Sequence, residues 1–284
     1  MAIVDLKELL QDAEQGRYAI GAFNIVNHLT CKAVLDECEK NQSPVIIQMS
    51  VKTVKQLSIE HTVQSILPLI INSKVPATLH LDHCTDLQFA KLCIDAGFPS
   101  VMIDSSKKSL KENIEDVNEI KKYGKKSKVC VEGELGAIAG VEDDIFVSGS
   151  DSSLADLESS KIFAEKTELD AFAPAIGTAH GLYKGDPKID FQRFQDIKAV
   201  SRCPLVVHGG TGLSDDVFKK LIELEAAKIN ISTAIKIAYL TSIREFMESN
   251  PKVSEPLQLD AAITSRVRET VKDHLVLFGS IGEA

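Results

Sequence analysis

The sequence predicts an α/β fold, a TIM (β/α)8 barrel in one domain spanning residues 1–284. Three observations lead there. Eight short apolar runs recur along the chain, stretches of helical periodicity separate them, and three of the runs close on a histidine. Continuous apolar strands alternating with amphipathic helices imply a parallel sheet covered on both faces, and eight such units fit a closed barrel. An open doubly wound sheet is the alternative, but the Gly-x-Gly-x-x-Gly turn of its dinucleotide-binding members is absent after the first strand.

The predicted strands are residues 19–24, 44–49, 77–82, 100–103, 128–134, 171–176, 204–208 and 228–231, with helices including 30–40, 86–96, 111–123, 154–166 and 215–224. The acidic, polar segment 136–153 reads as a mobile loop on the catalytic face. A C-terminal helical segment at about 257–277 is expected to pack across the barrel or a partner subunit.

A formal charge of −9 argues against a nucleic-acid groove, while a locally positive site for an anion stays open. No apolar run approaches the ~18 residues that span a bilayer. The start, Met1-Ala2-Ile3-Val4-Asp5, lacks the basic and apolar regions of a signal peptide. The six cysteines show no Cys-x-x-Cys pairing, so a reduced, cytoplasmic protein is expected.

His83, His180 and His208 end the third, sixth and seventh strand units. In a parallel barrel these ends converge on one face, where three imidazoles build a metal site with an open position. Cys84 is a weaker ligand candidate, since its side chain leaves the strand in another direction than that of His83. His80 shares a face with Asp82 and reads as barrel packing or support for a ligand. His28 is either substrate-facing or neutral in function, and His61 and His274 are expected to face solvent from helices. Asp82 reads either as a general acid/base or as an anchor for a ligand imidazole. Asp104 ends the fourth strand; Glu132 and Glu134 share a face of the fifth. They offer an alternative metal position, support for the histidines or, for Glu132, an ion pair inside the barrel.

The turns Gly209-Gly210-Thr211-Gly212 and Asn230-Ile231-Ser232-Thr233 follow the last two strands, where barrels commonly hold phosphate through backbone N–H groups and a helix N-terminus. Plain N-capping is the alternative role of Ser232 and Thr233.

Five motifs then appear in order: Leu79-His80-Leu81-Asp82-His83, Glu132-Gly133-Glu134-Leu135-Gly136, Gly140-Val141-Glu142-Asp143-Asp144, Gly177-Thr178-Ala179-His180-Gly181 and Val207-His208-Gly209-Gly210. With Gly21-Ala22-Phe23-Asn24 they resemble the class II, metal-dependent fructose-bisphosphate and tagatose-bisphosphate aldolases, from there to about Gly279. The resemblance implies reversible cleavage of a ketose phosphate to dihydroxyacetone phosphate and an aldehyde, by a cytoplasmic homodimer or homotetramer with no nucleic-acid or membrane partner. It implies His83, His180 and His208 as ligands of one Zn²⁺ per subunit, with Na⁺ or K⁺ as an additional cofactor candidate. Asp104 and Glu134 match an alternative metal position. Asp82 would move the C4 hydroxyl proton and Glu142 the proton on the donor carbon. Asn24, Ser50, Gly181, Lys184, Gly209, Gly210, Thr211, Asn230, Ser232 and Thr233 would contact substrate.

The chain departs from the family pattern at its acceptor end. Ser105 and Lys107 replace a glycine and a histidine, Ser232 and Ala234 replace other family residues, and Glu255-Pro256-Leu257 stands where relatives carry Asp-Pro-Arg. That leaves open an aldolase for a ketose 1-phosphate without a distal phosphate, with Arg266 or Arg268 as substitutes for the arginine. A metal-dependent sugar-phosphate epimerase or isomerase and a catalytically silent sugar-phosphate sensor are the remaining alternatives.

Overall fold

The computed structural model describes residues 3–142, 145–148, 152–183 and 185–284; for residues 141, 142, 145 and 146 this covers the backbone only. Eight parallel strands close a barrel: β1 (Ile20–Asn24), β2 (Val45–Ser50), β3 (Ala77–Cys84), β4 (Ser100–Ile103), β5 (Cys130–Leu135), β6 (Ala171–Pro174), β7 (Leu205–Val207) and β8 (Ala226–Ile231). Each pairs with its neighbours in sequence, and β1 with β8 seals the ring, with Ile20 opposite Lys228 and Phe23 opposite Ile231.

The alternation of strand side chains divides these residues between two cores. Phe23, Ile47, Leu79, Leu81, Val101, Ile103, Val131, Phe172, Leu205 and Ile229 belong to one core with the apolar faces of the helices. The barrel interior is filled near its base by Ile20, Ala22, Ile46, Cys130, Ala171 and Val206. The helix Leu6–Gly16 stops that end with Leu6, Leu9, Leu10 and Ala13. Higher up, the buried residues become polar: Asn24, Gln48, His80, Asp82, Glu132, Glu134, Lys228 and Asn230. A strand that is apolar at its start and polar at its end builds a dry base and a chemically active mouth.

The helices begin where their sequences supply a cap. Asp5, Asp86, Asp156 and Ser214 each accept backbone N–H bonds at an N-terminus, and Ser109 with Glu112 forms a reciprocal capping box. Such caps are worth ~1 kcal/mol each. The C-terminal helix runs Pro256–Phe278 and stops at Gly279 in the left-handed region. It packs on its own barrel, against the helices His28–Lys40 and Thr233–Ser249.

Three expectations are corrected. The segment 136–153 is not all loop: Ala139–Glu142 and Ile145–Val147 form an antiparallel hairpin, whose first strand also pairs in parallel with Ala179–His180. His274 does not face solvent but stands edge-on against Phe23, Phe218 and Phe278, since a neutral imidazole fills an aromatic corner well. Ser232 precedes the helix Thr233–Ser249 without capping it through its side chain; Thr211 instead accepts the Ala234 N–H at 3.2 Å.

Candidate active site

The three histidines meet, but His180 does not end a barrel strand as expected: β6 stops at Pro174, and His180 comes from the short strand Ala179–His180 that pairs with the hairpin outside the barrel. His83, His180 and His208 bring ligand-capable nitrogens within 4.8 Å of one another, and their rings stand at 83°, 89° and 84° to each other. Nε2 of His83 faces Nδ1 of His208 at 2.8 Å. The outward nitrogens rest on carboxylates: His83 Nδ1 lies 3.1 Å from Asp104 Oδ2, and His208 Nε2 lies 2.8 Å from Glu132 Oε1. Carboxylates behind ligand imidazoles fix ring orientation and tautomer.

His83 reaches the centre through a backbone irregularity. In a regular strand Asp82 and His83 would point to opposite faces. Here His83 takes φ +44. The β3–β4 register slips, so three steps from Leu81 to Cys84 match two from Val101 to Ile103. This one-residue bulge turns His83 toward the site beside Asp82, while Cys84 packs into the outer core.

Asp82 is held from two sides. Asn24 Nδ2 donates to its Oδ2 at 2.8 Å, Asn230 Nδ2 approaches Oδ1 at 3.5 Å, and Gln48 Nε2 in turn donates to Asn24 Oδ1 at 2.9 Å. Beneath the histidines lies a buried charge network. Lys228 Nζ donates to Glu132 Oε2 at 2.7 Å, His80 Nε2 lies 3.5 Å from the same oxygen, and His80 Nδ1 pairs with Ser100 Oγ at 2.6 Å. Burial works to raise the Glu132 carboxyl, but the Lys228 ammonium and the His208 hydrogen bond outweigh it and hold it well below the usual carboxylate range. Burial opposes Asp104 in the same way and is outweighed by His83 and Ser106. Burial also lowers His208, with His83 adding to the effect against the pull of Glu132, which favours the neutral imidazole, the form that binds a metal.

A narrow cleft adjoins the centre, lined by His180, Gly181, Gly209, Gly210, Thr211, Asn230, Ser232 and Thr233. Gly210 leaves room where a Cβ would lie 2.8 Å from the Asn230 carbonyl oxygen. Ser232 Oγ and Asn230 Oδ1 are buried there without a protein partner, which fits a polar guest.

Most of the sequence candidates therefore converge. His83, Asp104 and Glu134 form a second group whose ligand atoms lie within 4.8 Å of one another. Ser50 closes β2 level with Asp82 and caps the helix Val51–Leu57. His28 and His61 are exposed. The Glu142 side chain and all of Lys184 lie outside the described residues. Sequence reasoning missed Gln48, Ser100 and Tyr183. The available signal was polarity: Gln48 interrupts one apolar run and Ser100 opens another, a costly choice for a buried residue unless a partner waits.

Fold and centre together define a barrel enzyme with a metal-capable histidine cluster beside a glycine-lined cleft. Comparisons with known proteins agree. The family model for class-II fructose-bisphosphate aldolase matches residues 4–283. Fructose-bisphosphate aldolases of Geobacillus stearothermophilus and Staphylococcus epidermidis are each 36% identical, covering 100% of this chain and 99% and 100% of their own. The crystal structure of the YdjI aldolase from Escherichia coli K12 superposes with a TM-score of 0.87 at 28% identity over 99% of both chains. The chain belongs to the class-II fructose-bisphosphate aldolase family, metal-dependent lyases of the barrel fold.

Proposed function

We propose that this chain, acting as one catalytic unit over residues 1–284, reversibly cleaves a ketose (bis)phosphate to dihydroxyacetone phosphate and an aldehyde, with His83, His180 and His208 holding Zn²⁺. The observation that carries this reading is the convergence of three imidazoles, two of them backed by carboxylates, beside a glycine-lined cleft. The donor set fits: neutral imidazoles suit zinc, and the 2.8 Å gap between His83 Nε2 and His208 Nδ1 needs to widen only slightly for bonds of ~2.0–2.1 Å. A divalent ion there supplies positive charge where the carbon–carbon scission leaves negative charge on the donor fragment.

The protein supplies the rest. Backbone N–H groups around Gly181, Gly209 and Gly210, with Thr211, Ser232 and Thr233, bind the donor phosphate. Asp82, oriented by Asn24 and Asn230, takes the C4 hydroxyl proton in cleavage and returns it in synthesis. Glu142, on the hairpin paired with His180, exchanges the proton on the donor carbon. Lys228 is no Schiff-base nucleophile in this scheme, because its ammonium is bound to Glu132 beneath the site.

A second reading, an aldolase for ketose 1-phosphates, is favoured by the acceptor end. Leu257 is 71% exposed, Arg266 is paired with Glu245, and Arg268 with Glu37. Both arginines are engaged by glutamates of their own subunit. On the helix Thr233–Ser249, Ile237, Leu240 and Met247 are exposed at spacings that share a face, which supports a homodimer or homotetramer. A cytoplasmic setting without nucleic-acid or membrane partners, and Na⁺ or K⁺ as a further cofactor, complete the reading; among the described residues no helix is long and apolar enough to cross a membrane.

The test is a coupled triose-phosphate assay on zinc-loaded protein with fructose and tagatose 1,6-bisphosphates and their 1-monophosphates. Carbon–carbon cleavage is expected. Epimerised or isomerised product without cleavage, or no turnover of any of the four, overturns the proposal. His83→Ala should lose both zinc and activity.

A further inference from the structure

The turns that carry His180 and His208 lie flush against each other. Gly209 takes φ +69, and a Cβ there would meet the Ala179 carbonyl oxygen at 2.5 Å and the Ala179 nitrogen at 3.0 Å. Tyr183 bridges the same seam. Its hydroxyl accepts the Ala179 N–H at 3.0 Å and donates to the Gly209 carbonyl at 2.8 Å. Each partner is the chain neighbour of a histidine of the centre, and each turn continues into a glycine of the cleft.

Glycine-rich turns gain freedom from their missing side chains. Something must hold them in register, because a catalytic geometry displaced by ~1 Å loses much of its rate. The Tyr183 ring packs against the main core, and a Cβ on Gly212 would touch it at 3.4 Å. Its hydroxyl is therefore a fixed point, referenced to the core rather than to either turn. Burial pushes the phenol above its ordinary range, which keeps the proton it donates.

We propose that Tyr183 is a positioning residue: by tying Ala179 to Gly209 it sets the spacing of the two turns, and with it both the seat between His180 and His208 and the width of the cleft between Gly181 and Gly209. The inference rests on the zinc aldolase reading above. It makes one side chain, which acts only through backbone groups, responsible for metal affinity and donor affinity together.

Tyr183→Phe removes the bridging hydroxyl and keeps the ring. Zinc affinity measured by chelator competition should fall about tenfold or more, the range seen when groups supporting metal ligands are lost. The dissociation constant of dihydroxyacetone phosphate on zinc-saturated protein, read by calorimetry, should rise severalfold, while the metal-free thermal midpoint stays near that of the parent. Gly209→Ala, which pries the same turns apart without touching the hydroxyl, should show both losses. Tyr183→Phe protein with parental zinc and donor affinity overturns the proposal, and so does a lowered midpoint with both affinities intact, since that marks a structural role alone. Parent protein that binds neither zinc nor dihydroxyacetone phosphate overturns the aldolase reading itself, and this inference with it.

Discussion

Lys228 and Glu132 form an ion pair at 2.7 Å inside the barrel, with neither side chain exposed. The other Glu132 oxygen lies 2.8 Å from His208, so the pair sits directly under the centre. Charges this deep are tolerated only when matched, and removing one partner typically costs ~3–5 kcal/mol. Lys228→Met should therefore destabilise the metal-free protein by about that amount in urea unfolding. Lys228→Met/Glu132→Leu should recover part of the loss, since it leaves no unpaired charge. A stable single variant would contradict this account.

Asp104→Asn tests the support of His83. The carboxylate lies 3.1 Å from His83 Nδ1 and is itself held by Ser106 Oγ at 2.7 Å. The amide keeps the shape and loses the charge, so zinc affinity should drop ~10–100-fold with little change in fold stability. Chelator competition and thermal melting, run on the same preparation, separate the two effects.

Gly140 should matter for turnover more than for stability. It takes φ +113 opposite His180, and a Cβ there would lie 2.2 Å from the His180 carbonyl oxygen. Gly140→Ala is expected to disturb the pairing that registers the Glu142 hairpin on the His180 strand. Exchange of the donor-carbon proton of dihydroxyacetone phosphate with solvent should slow by about tenfold or more, within the ~10²–10⁴-fold that general base catalysis contributes. Unchanged exchange would remove the hairpin from the mechanism.

Acid should weaken the metal-free fold through buried imidazoles. Burial lowers His80, His208 and His274 below the ordinary histidine value. The unfolded chain takes up these protons near pH 6.5, while the folded chain does so only at lower pH. Between those points the unfolded state binds more protons, so stability falls as pH falls, by up to ~1.4 kcal/mol per pH unit for each histidine. His274 lies outside the candidate centre, against three phenylalanines. His274→Phe should gain on the parent as urea unfolding moves from pH 7 to pH 5; a constant difference would mean that His274 does not contribute to the slope.

The acceptor end gives a kinetic expectation. With Leu257 exposed and both nearby arginines paired to glutamates, kcat/KM for a ketose 1-phosphate should equal or exceed that for the matching bisphosphate. A bisphosphate preference of a hundredfold or more, ~2.7 kcal/mol at the transition state, would show that another group takes the distal phosphate.

The barrel was legible in the sequence because continuous apolar strands leave little other choice of architecture. All eight strand positions were found, with ends off by a residue or two, as at β7, where His208 lies just past the last paired residue. Three classes of feature were not legible. The hairpin of Ala139–Glu142 with Ile145–Val147 was hidden because both strands are short, and the further strand that docks it, Ala179–His180, is two residues long and distant in sequence. Tyr183 and Gln48 act through contacts with backbone or with another polar side chain, and such contacts leave no periodic signature. The inward turn of His83 depends on a register slip against β4 that no local pattern announces.

That slip has a consequence for how the enzyme can be altered. Neighbours in a regular strand serve opposite faces, so a carboxylate and an imidazole that share one site would ordinarily be recruited from separate segments, each free to drift. Asp82 and His83 are consecutive and share one kinked peptide. Any movement of one carries the other. Under the proposed function, redesign aimed at new aldehydes works on Ser50, Lys107 and the C-terminal helix and leaves this dipeptide as a single part.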